Sequence, residues 1–250
     1  MTRAKNDRVD AELLLEYLTR MDFKAWSPPR DALVRLRTVS RRIGSLTASK
    51  TAEENRLHAA QATQETPAVV LEDIQDALNH IEERKVKLTG AALSIVREDE
   101  ELHAQYKALT SVSGIAACSA IKLLAELSVL PEDMNVREVV AHAGLDPRPF
   151  QSGSSVNRRS RISKRGNARI REALFFPALT ASRCEPVVKA HYDVLLARGK
   201  PKKLALTAVM RKLLHSTWAM MKTKKHFSPS KYSPRLARTL ADQEIPSQTA

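Results

Sequence analysis

Apolar residues recur every seven positions through the middle of the chain, at Ile74, Ile81, Leu88, Ile95, Leu102 and Leu109. A strict seven-residue spacing keeps one seam of a slightly underwound helix facing a partner. The second seam positions are weak and include Lys85 and Asp99. Upstream, Leu33 to about Ala62 is helix-compatible and mostly polar, with a thin stripe of Leu33, Leu36, Ile43, Leu46 and Leu57. Thr63 to Pro67 reads as a turn. Two long helices joined by a short turn predict an antiparallel, coiled-coil-like hairpin. Its thin seams call for another chain or domain, against the plainer reading of a helix packed on its own core.

The flanks read differently. Residues 5–20 pattern as one helix, with Asn6 or Asp7 as cap and Val9, Leu13, Leu14 and Leu18 near one face. Trp26-Ser27-Pro28-Pro29 breaks it. From Leu109 to Leu127 the pattern predicts a helix, a tight turn at Gly114 and a second helix, ended by Pro131. Val136 to Ala143 is a short helix stopped by Gly144. Phe150 to Ser163 is expected as a polar loop. Helices follow from Asn167 to Ser182, from Pro186 to Gly199 and from Leu204 to Met221. After Lys225, prolines and polar residues predict a disordered tail. The fold class expected is all-α: a long helical hairpin, then a compact helical domain with a helix-hairpin-helix-like element at Gly114.

Composition narrows the function classes. Only 7 of 250 residues are glycine and 4% are aromatic, which argues against sandwiches, propellers and glycine-rich nucleotide loops. The two cysteines, Cys118 and Cys184, exclude a disulfide scaffold and a cysteine-based zinc module, and are expected as reduced core residues. No apolar run approaches the roughly 18 residues of a membrane span. The net charge of +13 is concentrated: Arg137 to Arg235 holds 22 Lys/Arg against 5 Asp/Glu. Such asymmetry points to a polyanionic partner, the alternative being a solvated basic surface.

The densest segment is Asn157 to Arg171, with seven basic residues in fifteen and no acid. Arg158, Arg159, Arg161, Lys164, Arg165, Arg169 and Arg171 can neutralise phosphates, and Asn167 adds a neutral donor. No aromatic lies among them, so base stacking is not indicated. The turn Ser113-Gly114-Ile115-Ala116 can present backbone N–H groups to a phosphate, although a structural turn has equal standing. Ser152, Ser154 and Ser155 precede the basic run, where cations could assist attack on a phosphodiester; Ser-Gly clusters are more often plain loop. Asp7 and Asp10, three apart on one helical face, can share a divalent metal, or be surface charges. The seven histidines show no metal-ligand spacing, and no chemistry is assigned to them.

Four segments occur in one order: SVSGIAACSAIKLLAEL, AHAGLDPRPFQSG, RISKRGNARIREAL and HYDVLLARGKPKKLALTAVMRKLL. From about Leu109 to Met221 the chain resembles the C-terminal half of the DEDD transposases of bacterial insertion sequences, the Piv-related IS one-ten family. KNDRVDAELLLEYL resembles the end of that family's RuvC-like domain, and the hairpin is similar to its coiled-coil linker. The resemblance implies four parts: residues 1–30 as the end of a RuvC-like domain, 31–108 as the hairpin, 109–225 as a DNA-binding transposase domain, and 226–250 as the tail.

It also implies a recombinase that cuts and joins DNA. Asp7 and Asp10 match two of four carboxylates that hold Mg²⁺. Ser152, or Ser154 or Ser155 in a shifted register, matches the serine that becomes linked to DNA. Implied partners are DNA, an element-encoded guide RNA, and a second copy or a full-length transposase, in the bacterial cytoplasm at the nucleoid and away from membranes. One departure is large: the sequence starts four residues before Lys5, without the family's first Asp and its Glu. A truncated, catalytically incomplete polypeptide is therefore the expectation. The alternatives are a non-catalytic architectural or regulatory DNA-binding protein, and an accessory subunit of a full-length transposase.

Overall fold

The structure, a computed structural model, describes residues 7–21, 28–63, 65–152 and 156–244, with side chains from 149 to 160 and at 243–244 left out. It divides into two units, Met1–Arg30 and Asp31–Ala250. The first contains helix α1, Asp7–Arg20. Asp7 and Asp10 occupy its first turn, favourable at the positive end of the helix dipole. Ion pairs Arg8–Glu12 and Arg20–Glu16 brace it at i,i+4 spacing. No residue of α1 is buried, and Leu13, Leu14, Leu15, Tyr17 and Leu18 all stand half or more exposed.

The second unit is helical apart from one two-stranded ribbon. Helices α2, Asp31–Ala62, and α3, Ala68–Glu98, pack along each other as the hairpin. Leu33, Leu36, Ile43 and Leu46 of α2 and Ile74, Leu78, Ile81 and Ile95 of α3 are buried, and Leu88 is partly so. The seven-residue series continues into α4, Glu100–Thr110, where Leu102 and Leu109 are fully buried. The helix itself does not continue. Asp99 adopts an extended conformation and its carboxylate accepts the Leu102 N–H at 2.9 Å, capping α4. The weak seam position at Asp99 is thus a helix junction.

Helix α5, Ala117–Leu127, is the most deeply buried, with Ala120, Ile121 and every residue from Leu123 to Leu127 enclosed. It packs on α2, α4 and on α7, Ala168–Cys184. Helix α6, Val136–His142, starts with a capping box between Asn135 and Glu138. Helices α8, Pro186–Ala197, and α9, Lys202–Thr223, complete the layer around α7. The hairpin base and the compact part share one apolar core.

Three expectations are corrected. The polar loop is a β-hairpin, β1 Pro147–Ser152 with β2 Val156–Ile162, antiparallel, with a register shift between Arg148 and Phe150. A ribbon with so few apolar residues lacks the alternation that marks a strand in sequence. The expected disordered tail carries α10, Pro229–Tyr232, and α11, Pro234–Glu244. Tyr232, 1% exposed, anchors it through its hydroxyl, 2.9 Å from Nδ1 of His191. One aromatic anchor outweighs a polar composition. Cys118 and Cys184 are free but exposed, not core residues.

Candidate nucleic-acid interface

The basic segment is held against the end of α6. That helix finishes at Ala143, and Gly144 takes a left-handed φ of 65° to turn the chain into β1. On the return, residues 163–167 lie across the same helix end. Asn167 N–H donates to the His142 carbonyl at 2.7 Å, Lys164 N–H to Gly144 at 3.1 Å, and Ser163 N–H to Asp146 at 2.9 Å. Ser163 Oγ donates to the Asp146 carboxylate at 2.5 Å. Two glycines make the approach possible. A Cβ on Gly144 would stand 2.2 Å from the Arg165 carbonyl oxygen, and one on Gly166, at φ 91°, would stand 2.2 Å from that of His142.

This strap presents cations outward. Arg161, Lys164, Arg165 and Arg169 are exposed, and Arg148 is exposed on β1 with its Cα directly paired to that of Arg161. None of these five makes an ion pair among the described residues. Lys164 holds a left-handed φ of 54°, unusual for a residue with a side chain. Backbone strain at an outward cation is a common mark of a site. Arg148 escaped the sequence reading because it lies outside the dense run.

Two of the named residues serve the scaffold instead. Arg171 Nη1 donates to the Ala143 carbonyl at 2.8 Å, closing the end of α6. Asn167 caps α7, its Oδ1 accepting the Arg169 N–H at 2.9 Å, while Nδ2 donates to Glu126 Oε2 at 2.7 Å. Glu126, 3% exposed, also receives Arg41 through Nε at 2.8 Å and Nη2 at 3.1 Å, with Arg37 at 3.6 Å. Burial alone would raise its pKa, but the Arg41 and Asn167 hydrogen bonds prevail and hold it below the usual carboxylate value. Glu126 thereby ties α2, α5 and the start of α7 together. Its sequence signal was an acid inside the apolar run Ile121 to Leu127.

Beside this clamp lies a cleft of about 420 Å³ between α2, α5 and the first turn of α7, lined by Arg41, Lys122, Glu126, Arg169 and Glu172 among others. Lys122 is paired with Glu172 at 2.9 Å and Arg41 with Glu126, leaving Arg169 as the unpaired cation of the rim among the described residues.

The remaining candidates fall apart from the strap or only partly within view. Arg158 and Arg159 lie on β2, opposite Phe150 and beside it; their side chains are outside the described set. Ser152 ends β1, its Cα paired with Val156, so its backbone stands at the mouth of the hairpin tip. Ser154 and Ser155 lie outside the described residues. Gly114, at φ 116°, is packed on α7: a Cβ there would stand 2.8 Å from Ala181 N and 3.1 Å from the Pro177 carbonyl. Close helix approach accounts for this glycine without a phosphate. Asp7 and Asp10 are exposed, and no group of three or more metal-ligating side chains occurs among the described residues. No described helix is long and apolar enough to cross a membrane.

The basic ribbon is thus strapped onto the end of α6 within the helical domain. Residues 106–193, from α4 into α8, match the family described as Transposase IS116/IS110/IS902 family. It is 26% identical over 227 residues to the pilin gene-inverting protein of Moraxella bovis, covering 90% of this chain and 68% of that protein. The Moraxella lacunata protein of the same name matches to the same extent. The insertion element IS110 43.6 kDa protein of Streptomyces coelicolor is 24% identical over 154 residues, 62% of this chain and 37% of that one.

Proposed function

We propose that this transposase-family chain binds DNA through the strap face, and that Ser152 is its strand-cleaving nucleophile. The observation that carries the binding reading is the cluster of Arg148, Arg161, Lys164, Arg165 and Arg169, exposed, free of ion pairs among the described residues, and held on a backbone that tolerates no Cβ at two positions. Like charges paired across a ribbon repel one another and gain from a bound anion. An element-encoded guide RNA is a second polyanion for the same face, supported by the family resemblance.

Ser152 is supported by its place at the end of β1, within the matched domain and next to the basic strand β2. In the step envisaged, Ser152 Oγ forms a bond to phosphorus, one P–O ester bond breaks, and the departing deoxyribose oxygen takes up the proton that serine loses. A cationic side chain brought to the phosphoryl group would stabilise the charge that develops on its oxygens.

The Mg²⁺ that the family resemblance implies does not fit the described residues as a site. Asp7 and Asp10 offer two exposed carboxylates on a helix without a buried residue, and no third ligand joins them. The expected behaviour of this chain alone is DNA binding without strand cleavage, with a homologue or second copy supplying further carboxylates.

A denaturing gel with labelled DNA carrying element ends tests both parts. The chain alone should shift DNA on a native gel and give no covalent adduct. An adduct should form on addition of a full-length homologue whose own serine is replaced, and vanish in Ser152→Ala. An adduct formed by this chain alone would overturn the incompleteness; one retained in Ser152→Ala would overturn the nucleophile. The architectural alternative predicts DNA binding with no adduct under any of these conditions.

A further inference from the structure

A second concentration of positive charge lies outside the matched domain. The last turns of α9, the segment 224–228 and α10 enclose a cavity of about 200 Å³. Lys212, His215, Lys225, His226, Ser228 and Lys231 line it, and no Asp or Glu does. Lys212, Lys225 and Lys231 make no ion pair among the described residues, whereas the adjacent Lys224 turns away to Glu101 at 3.1 Å. Lys212 Nζ sits 5.7 Å from the centre of the Tyr232 ring. His215 leaves Nε2 buried without a hydrogen-bond partner.

These cations share a fixed frame. Phe227 N–H donates to Ser111 Oγ at 2.8 Å, and buried Tyr232 meets His191 at 2.9 Å. The stretch carrying Lys225, His226 and Lys231 is thus pinned at both ends, which lowers the entropy lost on gathering them about a ligand. Burial first, and then the charges of Arg211 and Lys212, push the His215 imidazole below its ordinary pKa. The α9 C-terminus contributes the negative end of its dipole, so attraction for an anion has to come from these side chains. At about 200 Å³ the cavity has room enough for a phosphate.

We infer that this cavity is a second phosphate site, distinct from the strap, that receives a backbone phosphate of the bound nucleic acid. The inference rests on the nucleic-acid reading above for the source of the phosphate, and on the cavity alone for the anion.

The test uses the whole chain and two probes. In the first, inorganic phosphate is titrated at constant ionic strength while the imidazole resonances of His215 and His226 are followed by NMR. Saturable shifts should appear with phosphate, be absent with chloride, and weaken at least tenfold in the double variant Lys225→Gln/Lys231→Gln. Both lysines are exposed, and unchanged circular dichroism confirms the fold. In the second, the same variant should lose about tenfold in affinity for duplex DNA or structured RNA and flatten the salt dependence by roughly two phosphate contacts. That loss should add to the loss from the strap variants.

Equal shifts with chloride and phosphate would overturn the anion site. Phosphate binding with unchanged nucleic-acid affinity in the variant would overturn the backbone source, in favour of a free phosphorylated ligand. Phosphate binding by a wild-type chain that binds no nucleic acid would remove the strap reading and the backbone source together, while the anion site stands.

Discussion

Arg148 and Arg161 are direct cross-strand partners on the β1–β2 hairpin, two like charges where a ribbon ordinarily places an attractive pair. Neither makes an ion pair among the described residues. Pairing of this kind costs the free protein some stability, and the cost is relieved when a phosphate lies between the two guanidinium groups.

The first prediction follows from that relief. If about five strap cations neutralise phosphates, log K for duplex DNA should fall against log salt with a slope of about −4.5. Arg148→Ala/Arg161→Ala/Arg165→Ala should reduce that slope by about three contacts, weaken binding similarly across sequences, and leave thermal stability equal or slightly raised. Filter binding at four salt concentrations measures the slope. A triple variant with wild-type slope and affinity would remove the interface from this face.

Gly166 tests whether the backbone of the strap matters apart from its charges. Gly166→Ala places a methyl 2.2 Å from the His142 carbonyl oxygen at a φ of 91° that side chains avoid. The left-handed conformation and the clash together should cost about 2 kcal/mol or more. The net charge is unchanged, so a loss of DNA affinity in a variant that still melts cooperatively would come from displaced cations. Full affinity in Gly166→Ala would show that the charges work without the strap geometry.

Glu126 should give the fold a pH dependence in the acid range. Its pKa is depressed in the folded chain, so its stabilisation is present above the unfolded-state value of about 4.3 and is lost as pH falls through the folded value. At pH 7, Glu126→Gln should lose about 2 kcal/mol, since Arg41 and Arg37 keep partial access to water while their buried partner loses its charge. Urea denaturation across pH 3 to 7 should show the two proteins converging at the acid end. A constant gap over that range would place the stabilisation in packing and not in charge.

How far the sequence carried the fold depends on where side chains repeat. The seam from Ile74 to Leu109 was legible because each repeat buries an apolar residue, and all six are buried or partly buried in the structure. The break within it was not, because Asp99 acts through a carboxylate bonded three residues ahead, a local contact that a seven-residue period does not record. The β-hairpin was hidden because its strands carry too few apolar residues to alternate, and the Tyr232 anchor because it rests on one contact with His191, remote in sequence. The basic segment was legible as charge, yet charge alone could not separate Arg165, which faces outward, from Arg171, which closes the end of α6. Glu126 is the clearest omission. An acid among the apolar residues of α5 was there to be noticed, but its three partners come from α2 and the start of α7, remote in sequence.

The helical hairpin supplies the last prediction. The seam is closed along its length by Leu33, Leu36, Leu46, Ile74, Leu78 and Ile95, while Val69, Val70 and Val86 of α3 are exposed. Ile81 belongs to the closed seam, at 8% exposed. Ile81→Asp removes buried aliphatic contacts and puts a carboxylate into the seam, a change expected to cost about 3 to 5 kcal/mol. Val86→Asp alters an exposed position of the same helix and should leave stability within about 0.5 kcal/mol. Should the exposed valines be covered by a second copy of the chain, Val86→Asp would lower the mass measured by light scattering while helicity stays constant. Ile81→Asp would instead lower helicity. Equal, wild-type melting of both variants would show that the seam does not hold the hairpin, and that the regular spacing of Ile74, Ile81 and Leu88 contributes nothing to its stability.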